Sequence, residues 1–139
     1  MDPFDRPTTP VRYPVIIHQV RELRLEGLAD LADWRAHLRP EGLSPVAVDG
    51  RAEVVLAVTV ARWLGVRFHE CSLAVSISRH PAGSTRDGLY LVAAYSDVVA
   101  FAWIERNLFG SPHQPAQISF APAPGWGVEL RDQAGAILV

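Results

Sequence analysis

The sequence predicts an α+β domain: a mostly antiparallel β-sheet, open or partly closed into a barrel, with two short helices. Three observations predict it. Stretches that alternate apolar and polar residues outnumber stretches with helical spacing, and Gly, Pro and Asp turns separate them. The elements run strand, helix, strands, helix, strands, with turn signals that suit antiparallel neighbours. The 139 residues are 49% hydrophobic and contain neither an internal repeat nor a linker that would split domains.

Residues 1–14 hold Pro3, Pro7, Pro10 and Pro14 and read as an extended proline-rich arm; residues 15–139 read as the single domain. Val15 to Glu26 is the first strand, ended by Gly27. Val20, Leu23 and Leu25 break its strict parity once, which suits a bulge. Leu28 to Leu38 reads as a helix with Leu28, Leu31, Arg35 and Leu38 on one face and Trp34 beside it, stopped by Pro40 and Gly42. Val46 to Val48 leads into Asp49-Gly50, a hairpin turn. The valine-rich stretch Arg51 to Trp63 is a buried strand by composition, with a helix as its rival.

Val66 to His80 is the clearest strand. Cys71, Leu73, Val75 and Ile77 share one face, while Glu70, Ser72, Ser76 and Ser78 share the other. A turn over residues 81–88 leads to a partner strand, Leu89 to Tyr95. Ser96 or Asp97 is placed to cap a helix from Val98 to Phe109, with Phe101, Ile104 and Leu108 on one face and Gly110 and Pro112 as its stop. A strand over 117–120, a loop containing Pro122, Pro124 and Gly125, and a final hairpin of Gly127 to Arg131 with Ala136 to Val139 complete the chain.

Composition narrows the function classes. The formal net charge of −2 supplies no field for nucleic acid or an anionic membrane. No apolar run reaches the roughly 18 residues of a membrane span, and the N-terminus lacks the apolar core of a signal peptide, so a cytoplasmic protein is expected. Cys71 is the single cysteine, so a disulfide scaffold is excluded. On the apolar face of its strand it reads as a small buried hydrophobe rather than a nucleophile paired with His69. All 13 basic residues are arginine, an absence of lysine that points first to coding bias. The five histidines lack zinc-like spacing with cysteines or acids, and there is no phosphate-binding glycine loop; neither metal nor cofactor is expected.

Two segments carry candidate chemistry. Glu70 lies on the serine-bearing face, which is solvated in an open sheet but lines a polar interior in a barrel, where a carboxylate can move protons. Glu105-Arg106-Asn107 closes the second helix, and the rigid turn beyond it can aim His113 and Gln114 into a cavity; alternatively, Arg106 only complements the helix dipole.

Three stretches together resemble the acetoacetate decarboxylase superfamily, whose fold is a cone-like antiparallel barrel around a small-molecule cavity. They are Arg21-Glu22 followed by a helix and Arg39-Pro40-Glu41-Gly42-Leu43, Phe68-His69-Glu70 with its serine-flanked strand, and Arg106 to Gln114. The resemblance spans roughly residues 15–139. It implies that Arg21 matches the family's substrate-binding arginine and Glu70 its acid. It places His113 and Gln114 at the two positions the family fills with lysine. Family decarboxylation runs through a lysine imine, and imidazole cannot replace that amine. The resemblance therefore implies the scaffold and cavity without the parent reaction. Family enzymes are also longer than this chain.

Three functions are open on these grounds. The first is a small-molecule binding or accessory protein, holding a small organic acid or keto compound with Arg21, Arg106 and Gln114. The second is a lysine-independent lyase, hydratase or cyclase in which Glu70 and His113 exchange protons, imidazole being suited by its ordinary pKa of about 6.5. The third is a structural protein without ligand. The apolar terminal strand Ala136 to Val139 presents an edge, so a homo-oligomer formed through the sheet edge is expected.

Overall fold

A computed structural model of the chain describes residues 16–121 and 127–137. The proline-rich arm, the Pro122–Gly125 loop and the last two residues lie outside the described residues. The predicted α+β class is what the structure has. Strands β1 (His18–Ala29), β4 (Arg51–Trp63), β5 (Val66–Ser78), β6 (Gly88–Ser96) and β7 (His113–Pro115) follow one another across the main sheet. Every pairing in that path is antiparallel except β6 with β7. Short strands β2 (Ser44–Pro45) and β3 (Ala47–Val48) pair with β5 and β4. Helix α1 (Leu31–Leu38) follows β1, and α2 (Val99–Phe109) joins β6 to β7. Strands β8 (Gln117–Ala121) and β9 (Gly127–Arg131) form a separate antiparallel pair.

Two turns set the centre of the sheet. Asp49 and Gly50 have φ of 49° and 75° between the paired residues Val48 and Arg51. Leu64 and Gly65, at 49° and 78°, do the same between Trp63 and Val66. Two-residue loops with both φ positive match the twist of the strands they join. The first was predicted from Asp-Gly. The second escapes the sequence because leucine rarely takes positive φ. Between these turns the Arg51–Trp63 stretch is a strand, not a helix, and ladders to β1 and β5 flank it.

The core lies between the β4–β5 ladder and the β8–β9 pair. Val58, Cys71, Ala116, Ile118 and Leu130 are buried together, with Leu56, Tyr95, Phe120 and Val128 packed around them. Burial pushes the Cys71 thiol pKa up, with the charge of Glu70 adding to it, and the side chain is part of the core.

Several expected boundaries move. β1 does not stop at Gly27; that residue pairs with Val54 and the ladder continues to Ala29. The helix therefore begins at Leu31, where Asp30 caps it by accepting the Asp33 N–H at 2.8 Å. Leu28 belongs to the strand, and of the proposed helical face only Leu38 is buried. The bulge sits between His18 and Arg21, where Gln19 has φ of 52°. Neither Ser96 nor Asp97 is the N-cap of α2. Val98 holds that place, with Ser96 Oγ accepting its N–H, and Asp97 instead accepts the His69 N–H at 2.7 Å. Leu108 is not part of a buried face; it is 66% exposed. Among the described residues Ile137 bridges to Arg131, while Leu138 and Val139 of the expected strand lie outside them; β1 forms one border of the main sheet.

Both faces of β5 are covered from Ala74 to Ser76, whereas its start at Val66 and Arg67 is exposed. Ser76 and Ser78 are fully buried, which corrects the solvated serine face of an open sheet. Beside them the 81–88 turn closes on β2. Gly83 has φ of 64°, donates to His80 O and accepts from Ala47 N, and a Cβ there would lie 2.4 Å from Pro45 O. Gly83→Ala is expected to destabilise the protein by about 1–3 kcal/mol, measured by urea denaturation, because both the conformation and the space require glycine. An unchanged midpoint would mean that this turn bears no load.

Candidate functional site

The register of the sheet assembles the site. Residues directly opposite one another share a face, and the face alternates along each strand. Glu22 pairs with Thr59, Thr59 with Glu70, and Glu70 with Ser96, giving one polar row across four strands. The adjoining row on that face runs Arg24, Ala57, Ser72, Ala94, His113. Glu70 and His113 are thus brought together from β5 and β7, more than forty positions apart in the chain, through β6 between them.

Helix α2 roofs this end of the face. Phe101 stacks against Trp63 with ring centroids 4.9 Å apart and meets Phe68 edge-on at 5.4 Å. The cavity beneath has a volume of about 240 Å³. Its apolar wall is Trp63, Phe68, Phe101, Phe109 and Ile17, and its polar groups are Glu70, Glu105, Ser96 and His113. Gly110, with φ of 67°, ends α2 in the left-handed conformation, and the chain turns back so that His113 enters the sheet beside β6.

His113 is 5% exposed. Its Nδ1 is 2.6 Å from Ser111 Oγ, which fixes the ring from behind. Its Nε2 lies 3.4 Å from Glu70 Oε2, within ion-pair distance but short of hydrogen-bond geometry, so Nε2 is buried with no hydrogen-bond partner. A buried imidazole nitrogen without a partner costs free energy unless something else satisfies it. Ser111 Oγ, Nδ1, Nε2 and Glu70 form a line from loop to cavity, a geometry in which imidazole and carboxylate can hand a proton to or from a bound molecule. Among the described residues no group of three His, Cys, Asp or Glu side chains is placed to hold a metal ion.

The other predicted site residues fall elsewhere. Arg21 pairs with Val60, which pairs with His69, so it lies on the face opposite Glu70. Gln114 alternates with His113 on β7 and is exposed. Arg106 is exposed on α2 and is not part of the cavity wall. Glu105 takes that place. Its signal was available in the sequence: Phe101, Glu105 and Phe109 recur every four residues and share one side of the helix. Ser111 as the support of His113, and Asp97 as the partner of His69 at 2.6 Å, carried no such pattern.

A buried acid sits farther along the same face. Glu53 lies just beyond the last β4–β5 pair, where the Val46 backbone bridges it to Ser76, and Arg86 donates to it through Nη2. The Ser76 hydroxyl turned toward it is the largest influence lowering the Glu53 pKa, with Arg86 adding to it and burial opposing. Yet Ser76 Oγ and Glu53 Oε2 stop short of hydrogen-bond geometry, and each is left without a close partner.

With the geometry in place, comparison with known proteins identifies the scaffold. The crystal structure of acetoacetate decarboxylase from Legionella pneumophila superposes with a TM-score of 0.68 at 13% identity, covering 87% of this chain and 46% of that one. The chain has the acetoacetate decarboxylase fold and spans about half the length of that enzyme. No protein-family model and no curated protein sequence matches it.

Two outcomes test the packing and charge described above. Phe101→Ala removes the ring joining α2 to the sheet and should cost about 2–4 kcal/mol in chemical denaturation; a loss well below 1 kcal/mol would show that the roof is held by other contacts. Because the folded Glu53 pKa is depressed, its stabilisation is full above its ordinary value of 4.5 and is lost as pH falls below it. Melting temperatures of Glu53→Gln should therefore vary less with pH than wild type below that value, and parallel profiles would contradict the assignment.

Proposed function

We propose that the cavity under α2 binds a small, uncharged carbonyl compound and that His113, backed by Glu70, attends to its proton inventory. The observation that carries this is the buried Nε2 of His113, without a hydrogen-bond partner, in the wall of a pocket whose apolar side is mostly aromatic. A carbonyl or enol oxygen reaching Nε2 would satisfy the nitrogen while its hydrocarbon part meets Phe68, Phe101 and Phe109. Of the two ligand classes that the sequence suggested, the keto compound fits better than the organic acid. Glu70 and Glu105 both line the cavity, and no arginine lines it among the described residues, so a carboxylate ligand would meet like charge in a poorly hydrated space.

Retention alone makes the protein a binding module. Proton transfer makes it an enzyme of the lyase, hydratase or cyclase kind, and the Glu70–His113 approach favours that second reading. Neither uses the chemistry of an amine, since the 139 residues contain no lysine. Arg21, Arg106 and Gln114 have no part in this reading. Self-association through a sheet edge remains part of the proposal. The outer edge of β1, unpaired among the described residues and carrying exposed Val20, Leu25 and Leu28, is the edge that suits it.

Cyclohexanone and cyclohexanecarboxylate separate the charge classes at similar size. Calorimetric titration should show saturable binding of the ketone, and binding of the carboxylate at least about tenfold weaker. In D₂O, NMR should show α-deuteration of the ketone above the buffer rate, lost in Glu70→Gln and in His113→Gln. Binding without exchange selects the module over the enzyme. Equal or tighter binding of the carboxylate, or ketone binding unaffected by His113→Gln, would overturn the proposal. Light scattering should report a dimer or larger, reduced to monomer by Leu25→Glu; a wild-type monomer would remove the oligomer.

A further inference from the structure

The face of the sheet that turns away from the Glu70 cavity carries the opposite charge. His18 pairs with Arg62 and Arg62 with Arg67, which sets two guanidinium groups opposite each other on β4 and β5. In the next row Arg21 pairs with Val60 and Val60 with His69. Arg21, Arg62 and Arg67 line one cleft of about 490 Å³, together with Gln19 and Val60.

Sheet energetics make this arrangement unusual. Like charges directly opposite on neighbouring strands destabilise the ladder, and Arg62 faces Arg67 beside the tight Leu64-Gly65 turn. Neutralisation from within the chain is slight. Asp97, which reaches this region, is held by the His69 backbone N–H at 2.7 Å and by His69 Nδ1 at 2.6 Å. Arg62 gives one N–H to the Gly65 carbonyl at 3.3 Å, which steadies it without cancelling its charge. Among the described residues Arg21 and Arg67 have no hydrogen-bonded or ionic partner. The bulge at Gln19, with φ of 52°, resets the β1 register immediately before Arg21; bulges commonly re-aim a side chain.

We propose that this cleft is a binding site for a small, multiply charged oxyanion, a phosphoryl or polycarboxylate group. Guanidinium forks match the oxygens of such groups in bidentate fashion, and three of them around one cleft recognise charge and shape together. The site is separate from the cavity under α2 and does not rest on the function proposed for it. A small ligand suits it better than a nucleic acid, because the chain as a whole is acidic.

The test uses the full chain at low ionic strength, titrated calorimetrically with pyrophosphate in one arm and citrate in another. At least one should bind saturably, with affinity falling as NaCl rises. Arg62→Gln and Arg67→Gln should each weaken binding about tenfold, and the double variant should abolish it. Arg39→Gln, which removes an equal charge elsewhere, should leave it unchanged. The cleft variants should melt at or above the wild-type temperature in the absence of anion, since they relieve the Arg62–Arg67 opposition. Preference for pyrophosphate names a phosphoryl ligand and preference for citrate a polycarboxylate. The proposal is overturned if neither anion binds saturably, if the double variant binds as wild type does, or if Arg39→Gln weakens binding as much as the cleft variants.

Discussion

The register between β4 and β5 governs the rest of the molecule. Ten consecutive pairs run from Val54 opposite Val75 to Trp63 opposite Val66 without a shift. Because side chains alternate with a period of two, slipping this ladder by one residue would send Glu70 to the arginine face and Cys71 to the cavity face. It would also part Val58 from Cys71 in the core and carry Phe68 away from Phe101. The two-residue loop that holds the ladder in register is Leu64-Gly65, and the exposed Leu64 side chain shows that geometry, not packing, is what the loop supplies.

This ladder also explains how a chain with a net charge of −2 segregates its charge. Glu22, Glu53 and Glu70 share one face of the sheet, and Glu105 descends onto it from α2. Arg21, Arg62 and Arg67 share the other. The composition averages these two populations to near neutrality. Arg24 and the Arg86 that bonds Glu53 temper the acidic face, so the sheet separates these two clusters rather than all of the chain's charge.

Much of the fold was legible in the sequence. Asp49-Gly50 announced its hairpin, the valines of β4 announced a strand, and Gly110 announced the end of α2. These are local signals, and local geometry decided them. The errors arose where tertiary contact overrode local preference. Gly27 looked like a stop but is an ordinary rung against Val54, and Ser76 and Ser78 looked solvated but are enclosed by the 81–88 turn and its neighbours. The site divides in the same way. Glu70 and His113 stood out by chemistry and do meet. The positions of Arg21 and Gln114 depend on strand parity relative to partners that the sequence does not identify.

The Leu64-Gly65 turn bears on the order in which the chain closes as well. It brings Trp63 and Val66 together across a loop of two residues, the smallest entropic cost a strand pairing can carry. By contrast, β6 meets β7 only after α2 has been laid down between them, and parallel pairing of this kind requires such a crossover. Glu70 therefore sits in a pairing closed by a two-residue loop, as short as the Asp49-Gly50 loop between β3 and β4, whereas His113 joins the sheet through the longer connection that contains α2. The approach of His113 to Glu70 thus depends on one short connection and one longer one, and it exists only where β7 has joined β6.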